Sequence, residues 1–303
     1  MSNSFSPLRY PGGKQVLAPI LAHLIALNKR EGGIYAESYA GGAGAALSLL
    51  FGEHVEQLML NDADPHIYAF WKSLLSDTDE FLKLVRDTPL SVSEWEKQKT
   101  IYRRSRCSLL KRGFATFYLN RCNRSGIIDN AGIIGGRDQT GKWKLDARFN
   151  RKELAARIER VARYRDRIRV FNLDAIEFLR NEVGSPSVAG RAFVYLDPPY
   201  YVKGSQLYLN HYKPADHGTL ACFVKSHAPY LWVMSYDNVP EIQALYQGLR
   251  QVPFNLAYSA QGCRVGKEVM ILCPNITFPE RWQERIPDRY VSTSGYVSIP
   301  MAG

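Results

Sequence analysis

The strongest constraint on the fold comes from a short apolar run that ends in two prolines. Residues 192–196, Ala-Phe-Val-Tyr-Leu, have the β-branched and aromatic composition of a buried strand. Because Pro198 and Pro199 cannot donate hydrogen bonds to a sheet, the strand must end before them. Asp197 and Tyr200 are thereby left at the carboxyl end of the strand. In open α/β sheets, this edge is where ligands bind.

The residue types at this edge favour one kind of chemistry. The exocyclic amine of a nucleobase is a poor nucleophile, because its lone pair is delocalised into the ring. The carboxylate of Asp197 and the carbonyl of Pro198 could accept hydrogen bonds from such an amine, and the ring of Tyr200 offers a face on which the base could stack. The alternative is an ordinary boundary between a strand and a turn, since Asp-Pro is a common turn opening.

A second strand-to-turn transition has a glycine-rich turn. Residues 34–37 predict a short strand that ends at Glu37, and Gly42 and Gly44 lie in the turn before a predicted helix over 45–51. Small residues at such a turn let a ligand approach the backbone closely, as in dinucleotide-binding folds. The spacing is not G-x-G-x-x-G, which a ligand without a pyrophosphate would not require.

The next predicted strand, residues 57–60, ends in Asn-Asp-Ala-Asp. An acidic residue about 20 positions beyond the glycine turn is placed to accept hydrogen bonds from ribose hydroxyls. Asp62 is the first candidate and Asp64 the second. The alternative is that these carboxylates cap the helix predicted over 65–75, and Asp64 fits that interpretation better.

The chain opens with Pro-Leu-Arg-Tyr-Pro-Gly-Gly-Lys at residues 7–14, followed by the periodic apolar stretch 16–27. This pattern predicts a glycine turn that leads into an amphipathic helix. The helix dipole disfavours a lysine at a helix start, which points to a ligand-binding role for Lys14. The alternative is a solvated charge at the helix end.

The positive charge of the chain is concentrated in its middle. Residues 97–152 contain 15 Lys and Arg but only three acidic residues, a net charge of +12, whereas the whole 303-residue chain carries +10. Clustered cations on an inserted segment are the expected footprint of a phosphate-binding surface. The alternative is a solvated basic helix face. Within this segment, Gln-Thr-Gly at 139–141 predicts a hairpin turn.

Composition argues against several other classes of protein. The cysteines are odd in number and never spaced as C-x-x-C, which argues against a zinc site or a disulfide framework. The N-terminus lacks a signal-peptide pattern, and no stretch approaches the roughly 18 apolar residues of a membrane span. We therefore expect a soluble, cytoplasmic protein with no metal and no membrane partner. The five cysteines are Cys107, Cys122, Cys222, Cys263 and Cys273.

These motifs resemble the signature of the S-adenosyl-L-methionine (AdoMet)-dependent DNA adenine-N6 methyltransferases of the Dam type. The N-terminal lysine loop, the glycine turn, Asp62, the basic insert and the Asp-Pro-Pro-Tyr turn occur in that family's order, and the resemblance covers roughly residues 5–275. It implies an α/β fold: a doubly wound, Rossmann-like methyltransferase sheet with an inserted, mainly helical target-recognition domain. The implied catalytic domain is discontinuous, over 1–74 and 165–275, with the insert at 75–164 and a tail at 276–303.

The resemblance also implies the roles of individual residues. Two departures from the family's glycine turn are Ser38, where proline is usual, and Tyr39, where phenylalanine is usual. The implied catalytic residues are Asp197, Pro198 and Tyr200. The implied AdoMet pocket is lined by Tyr10, Lys14, Glu37, Tyr39, Gly42, Gly44, Asp62, Asp174 and Asp197. The implied DNA contacts are Arg121, Asn123 and Arg124.

The implied reaction is transfer of a methyl group from AdoMet to N6 of an adenine flipped out of double-stranded DNA, without a metal. We expect residues 201–212 to form a mobile loop that closes over the flipped base, with Tyr208 and Tyr212 as core residues in the alternative. A cognate restriction nuclease or defence-system partner is compatible with this function.

Three other functions stay open at this point. One is methylation of an RNA base or a protein amide on the same fold, although those relatives commonly carry Asn-Pro-Pro-Tyr rather than the aspartate found here. Another is an inactive DNA-binding module, which a cofactor-binding assay would distinguish. The third is an interaction protein, whose affinity for its partner would be insensitive to salt.

Overall fold

The computed structural model describes residues 4–9, 14–129, 131–202, 212–258, 264–279 and 298–300. Its strands are β1 Ile34–Glu37, β2 Gln57–Asn61, β3 Ile168–Phe171, β4 Ala192–Leu196, β5 Leu231–Asp237, β6 Arg250–Tyr258, β7 Arg264–Leu272 and β8 Ser298–Pro300. They form one eight-stranded sheet with the order β3-β2-β1-β4-β5-β7-β6-β8.

The first five strands in this order are parallel to one another, and β7 runs antiparallel between β5 and β6. The chain builds outward from β1 to β3, then returns to place β4 on the other side of β1. This reversal is the topological switch point of a doubly wound sheet, where a crevice opens at the carboxyl ends of the strands. The predicted fold class is therefore confirmed, and the Asp197 turn follows a strand at the switch point.

The helices cover both faces of the sheet and form the insert. A 3₁₀ turn, Lys14–Leu17, leads directly into the first helix. The helices are α1 Ala18–Leu27, α2 Gly44–Phe51, α3 Pro65–Ser76, α4 Thr78–Asp87, α5 Val92–Arg103, α6 Leu109–Cys122, α7 Arg151–Ala162, α8 Ala175–Glu177, α9 Pro214–His227 and α10 Pro240–Leu245. Helix α8 continues as a π-helical turn, Phe178–Val183. None of the helices within the described ranges is long and apolar enough to cross a membrane.

The central strands are buried on both faces, as their continuous apolar sequences require. In β4, Phe193 and Tyr195 pack in one hydrophobic core, while Val194 and Leu196 pack in the core on the other face. The strands predicted over 34–37 and 192–196 are confirmed residue for residue.

The hairpin predicted around residues 139–141 is only partly correct, because the described residues on either side of the turn form no strands. The turn is present, but within 131–148 the backbone forms turns rather than strands, apart from a single bridge between Ile133 and Asn123. The Gln139 side chain explains the difference. Its amide donates to the carbonyls of Ile134 and Gly136 and accepts from the amide of Leu145, thereby satisfying backbone groups that a ladder would otherwise pair.

The insert packs onto the sheet domain through an aromatic core. Phe70 of α3 stacks on Phe117 of α6 with their ring centroids 6.0 Å apart, and Phe81 and Phe114 pack edge-on beside them. These rings belong to the same hydrophobic core that covers one face of the sheet. The domain boundaries at 74/75 and 164/165 stay a prediction.

Gly113 sets the distance between α3 and α6. A Cβ at this position would lie 2.4 Å from the carbonyl oxygen of Ala69 and 3.0 Å from the Cα of Phe70. Because both atoms belong to the backbone of α3, relief of the clash requires a shift of the helix itself.

We predict that Gly113→Ala lowers the free energy of unfolding by about 1–3 kcal/mol, because overpacking outweighs the better helix propensity of alanine. The matched control is Gly218→Ala in α9, where a Cβ meets no atom within 4 Å. That variant should be unchanged or more stable by up to about 1 kcal/mol. Denaturant titration of the two variants measures both effects, and equal stabilities would contradict the close approach of α3 and α6.

Candidate active site

The turn after β4 is held from two sides at the carboxyl edge of the sheet. Its first residue, Asp197, directly follows the central strand. Its exit is held by Asp237 at the end of β5, whose carboxylate accepts from the amides of Tyr201 at 3.0 Å and Val202 at 3.1 Å. The side chains of Asp197 and Tyr200 are therefore fixed relative to the neighbouring strand.

Lys14 lies at the centre of a buried polar network. Its ammonium donates to the Tyr200 hydroxyl at 2.7 Å and lies 3.3 Å from Oδ1 of Asp197 and 3.4 Å from Oε1 of Glu268. The Tyr200 hydroxyl in turn donates to Oε1 of Glu268 at 2.5 Å. The structure thus brings together Lys14 from the N-terminal loop and the Asp-Pro-Pro-Tyr turn, which are far apart in the sequence.

Within the described residues, the two hydrogen-bond donors to Asp197, Ser235 and Lys14, contact the same carboxylate oxygen. Oδ1 accepts from Ser235 of β5 at 3.0 Å and lies beside Lys14. Because a serine hydroxyl has one proton, the 2.7 Å contact between Ser235 and Tyr195 has Tyr195 as its donor. The Asp197 side chain keeps 23% of its surface exposed, so Oδ2 is the oxygen left to accept a hydrogen bond from a ligand.

The charges in this network shift one another's pKa values. Burial raises the pKa of Asp197, and the opposing effects of Lys14 and Ser235 only partly offset this. Burial likewise raises the pKa of Glu268 to about 7, against the effect of Lys14. For Lys14, burial lowers the pKa, but the carboxylates of Asp197 and Glu268 outweigh it and raise the pKa well above its usual value. Lys14 is therefore a buried cation and not a solvated charge at a helix end.

Sequence reasoning missed two members of this network, Glu268 and Ser235. Glu268 carries a signal that could have been used, because it is a carboxylate that directly precedes the apolar run 269–272 within strand β7. A charge in a buried strand needs a partner, which marks it as a candidate site residue. Ser235 carries no such signal, since small polar residues are common near strand ends.

The glycine turn after β1 lies next to this network. Gly41 has a positive φ of 46°, and its amide donates to Oδ2 of Asp62 at 2.9 Å. Gly44 begins α2, where a Cβ would lie 3.0 Å from the Cβ of Gln15. Gly44 thus lets the 3₁₀ turn that carries Lys14 pack closely on α2. Gly42 is buried in the turn between them.

The two other residues predicted at this turn have partners inside the protein. Glu37 is buried beneath the turn, and its Oε1 accepts from the Tyr35 hydroxyl at 3.1 Å and the Ala46 amide at 3.2 Å. The Tyr39 hydroxyl is 2.7 Å from that of Tyr212. Tyr212 is therefore packed against the turn, as the core alternative predicts, whereas Tyr208 lies outside the described residues.

Asp62 is held in place by two backbone amides. Besides Gly41, it accepts from the Asp64 amide at 2.9 Å, and its partly exposed carboxylate retains further acceptor positions. Burial, with Asp64 as a smaller contributor, raises the pKa of Asp62 to about 7. Asn61 ties the strand ends together, donating to the carbonyls of Ser38 and Leu173 at 3.1 Å.

The remaining acidic candidates cap helices. Asp64 accepts from the His66 amide at the start of α3, which confirms the capping alternative. Asp174 is exposed and accepts from the amides of Ile176 and Glu177 at the start of α8. Tyr10, the remaining predicted pocket residue, lies outside the described residues.

The structure corrects the DNA-contact prediction for Arg121 and Asn123, because both side chains are buried and used within the protein. Arg121, 6% exposed, donates through Nε to the carbonyl of Pro7 at 2.7 Å. Asn123 accepts from the indole of Trp95 at 2.7 Å and donates to two backbone carbonyls. Arg124, in contrast, is exposed and stays a predicted DNA contact.

The run Leu-Asn-Arg at 119–121 anchors the N-terminal segment. The Asn120 amide accepts from the Arg9 amide at 2.7 Å and donates to the carbonyls of Arg9 at 2.6 Å and Gly126 at 2.8 Å. Together with the bond from Arg121 to Pro7, this fixes residues 7–9 on α6. The insert thereby holds a segment that lies shortly before Lys14 in the sequence.

Among the described residues, no group of three or more His, Cys, Asp or Glu side chains is arranged to hold a metal ion.

A comparison with protein families identifies a family for this chain. The model of the D12 class N6 adenine-specific DNA methyltransferases matches residues 10–260. No curated protein matches the chain. Among solved structures, the chain is similar to the SAM-dependent methyltransferase from Agrobacterium tumefaciens, with 11% sequence identity, a TM-score of 0.35 and coverage of 84% of this chain and 61% of that one. The chain thus spans about three fifths of the length of that structure.

We predict that Glu37 makes the protein less stable as the pH rises. Burial raises its pKa from 4.5 to about 8, so between these values the folded state holds a proton that the unfolded state releases. The contribution of Glu37 to stability is therefore greatest below pH 4.5 and falls towards pH 8, by up to about 1.4 kcal/mol per pH unit. Glu37→Gln keeps an acceptor for Tyr35 and Ala46 but should lose this dependence.

The test is the melting temperature of both proteins between pH 5 and pH 8. Glu56→Gln, a change at an exposed carboxylate that pairs with Arg191, is the matched control and should keep the wild-type slope. Parallel curves for Glu37→Gln and the wild type would show that Glu37 is ionised throughout this range.

Proposed function

Since the chain belongs to the D12 class N6 adenine-specific DNA methyltransferase family, we propose that it transfers a methyl group from AdoMet to N6 of adenine in double-stranded DNA. The observation that carries this proposal is the position of Asp197 at the switch point, with one carboxylate oxygen held by Lys14 and Ser235 and the other left for a ligand. Such a carboxylate is suited to orient an exocyclic amine and to accept its hydrogen bond.

The glycine turn and its surroundings fit AdoMet as the donor. Ser38, at the carboxyl end of β1, has a buried hydroxyl with no hydrogen-bond partner among the described residues. Asp62 lies at the end of the adjacent strand with acceptor positions for ribose hydroxyls. Asp62, the glycine turn and Tyr39 would hold the cofactor, and Asp174 borders the same edge. When bound, AdoMet supplies an activated methyl group on a sulfonium, and this requires no metal.

Asp197 would act on the amine in two ways. By accepting an N6 hydrogen bond at Oδ2, the carboxylate localises the nitrogen lone pair and turns it towards the methyl donor. The methylated amine must then lose one proton, and the raised pKa of Asp197 makes its carboxylate a suitable acceptor. Tyr200 and the carbonyl of Pro198 complete this surface, the first as a stacking platform and the second as another acceptor.

A duplex adenine can reach this edge only after it leaves the base stack. The exposed cations of the insert would bind the phosphates on either side of such a base. They lie on α5, on α6, in the turns that follow these helices and at the start of α7: Lys97, Arg103, Arg104, Arg106, Lys111, Arg124, Arg137, Lys142, Lys144, Arg148 and Lys152. Only a few of these cations pair with carboxylates of the described residues. This favours the interpretation of residues 97–152 as a phosphate-binding surface.

Replacement of Asp197 tests the catalytic role. We predict that Asp197→Ala lowers the rate of methyl transfer by about a hundredfold or more, by analogy with loss of one preorganised hydrogen-bonding group in other active sites. Asp197→Asn should be less severe, because the amide still offers a carbonyl acceptor, though an uncharged one. DNA affinity should stay within about twofold in both. Wild-type turnover in Asp197→Ala would remove the basis of the assignment.

Salt dependence tests the DNA surface. The logarithm of DNA affinity should fall linearly with the logarithm of the salt concentration, and Arg124→Ala should flatten this slope by about 0.9 if Arg124 binds a phosphate. Arg121→Ala should leave the slope unchanged and instead lower the free energy of unfolding by about 1.5–3 kcal/mol, because it removes a buried, charged hydrogen bond. A wild-type affinity that does not depend on salt would make the basic segment a solvated face.

A further inference from the structure

A buried carboxylate that the proposed chemistry does not use lies beside the candidate active site. Glu268 is on β7, with 1% of its surface exposed, and is followed by the apolar residues Val269, Met270 and Ile271. A buried charge is costly unless it is paired and hydrogen-bonded. Its Oε1 meets both requirements, through the Tyr200 hydroxyl at 2.5 Å and the Lys14 ammonium at 3.4 Å.

Lys14 is shared almost equally between two carboxylates. Its ammonium lies 3.3 Å from Asp197 and 3.4 Å from Glu268. With both carboxylates ionised, the three groups carry a net charge of −1. If Lys14 faced Asp197 alone, the pair would be neutral, and the carboxylate would be a weaker acceptor for a substrate amine.

Glu268 also determines how the Tyr200 hydroxyl is bonded. That oxygen accepts from Lys14 at 2.7 Å and donates to Glu268 at 2.5 Å, so both its proton and a lone pair are committed. Lys14 lies over the ring as well, 5.0 Å from its centroid. The orientation of the Tyr200 ring therefore depends on the two charged partners of its hydroxyl.

We propose that Glu268 is a positioning residue for methyl transfer, which shares the charge of Lys14 so that Asp197 stays a strong acceptor, and which fixes the ring of Tyr200. This inference rests on the proposed function. Glu268 acts through Lys14 and Tyr200, and so its loss should impair the chemical step more than the binding of either substrate.

The charge of Glu268 should be visible in the pH dependence of the rate. Burial raises its pKa to about 7, with Lys14 opposing and Asp197 reinforcing this effect. Protonation below that value would mimic loss of the charge, so the wild-type rate should rise with pH through about 7. Within the described part of the chain, the ionisable groups around Glu268 are Lys14 before α1, Asp197 and Tyr200 after β4, Tyr195 on β4, and Asp237 opposite it on β5.

The experiment compares Glu268→Gln with the wild type in single-turnover methylation of duplex DNA by AdoMet from pH 6 to pH 8. Glutamine has the same shape and keeps a carbonyl acceptor for Lys14 and Tyr200, so a purely structural role would be preserved. We expect the rate at pH 8 to fall at least tenfold, the rise through pH 7 to disappear, and the dissociation constants of AdoMet and DNA to stay within about twofold.

Two further variants supply a control and test whether Glu268 acts through Tyr200. Glu56→Gln, at an exposed position before β2, should keep the wild-type rate and pH profile. Tyr200→Phe keeps the ring but removes the hydroxyl through which Glu268 acts. Adding Glu268→Gln to it should therefore reduce the rate by a smaller factor than Glu268→Gln does in the wild-type background. Independent, multiplicative effects would overturn the link through Tyr200.

A wild-type rate and an unchanged pH profile in Glu268→Gln would overturn the proposal. If that variant does not fold, the wild-type profile decides, since a rate that is flat between pH 6 and pH 8 contradicts the proposed rise of the rate with ionisation of Glu268. Failure of the proposed function gives a different result from failure of this inference alone. The wild type itself would then transfer no methyl group, and this inference would fail as well.

Discussion

A single buried ammonium at the carboxyl edge of the sheet connects the parts of this protein. Lys14 comes from the N-terminal loop, Asp197 and Tyr200 from the turn after the central strand, and Glu268 from an antiparallel strand further along the chain. A cation in this position is stable only because two carboxylates surround it, and each carboxylate is tolerated there only because of the cation. The sheet brings the turn after β4 and the strand with Glu268 together, since β5 lies between β4 and β7.

The segments on either side of residues 10–13 are held by the insert and by α2. Asn120 and Arg121 on α6 hold the backbone of residues 7–9 by hydrogen bonds, and Gly44 lets the turn that carries Lys14 approach α2. The insert therefore does more than present exposed cations to a polyanion. Its buried Asn120 and Arg121 hold the N-terminal segment, while its exposed cations lie on its helices and turns. This division offers a physical route by which a change in the insert could alter the chemistry.

Much of the fold could be predicted from the sequence, because its central strands are continuous apolar runs with clear ends. The predicted bounds of β1 and β4 agree with the structure, and the prolines after Asp197 end the strand as expected. The roles of single polar residues were harder to predict. Arg121 and Asn123 lie in a strongly basic segment, and only the packing of α6 shows that they are buried. Glu268 joins the site through strand order, which local sequence does not determine.

Analysis of the methylated product tests the proposed reaction directly. The purified protein would be incubated with duplex DNA and AdoMet carrying an isotope-labelled methyl group, and the nucleosides would then be separated and identified by mass spectrometry. We expect labelled N6-methyldeoxyadenosine, confined to duplex adenines within a defined sequence context. Label on another atom or another base, or no label in DNA although AdoMet binds, would contradict the assignment of Asp197 and its network to adenine methylation.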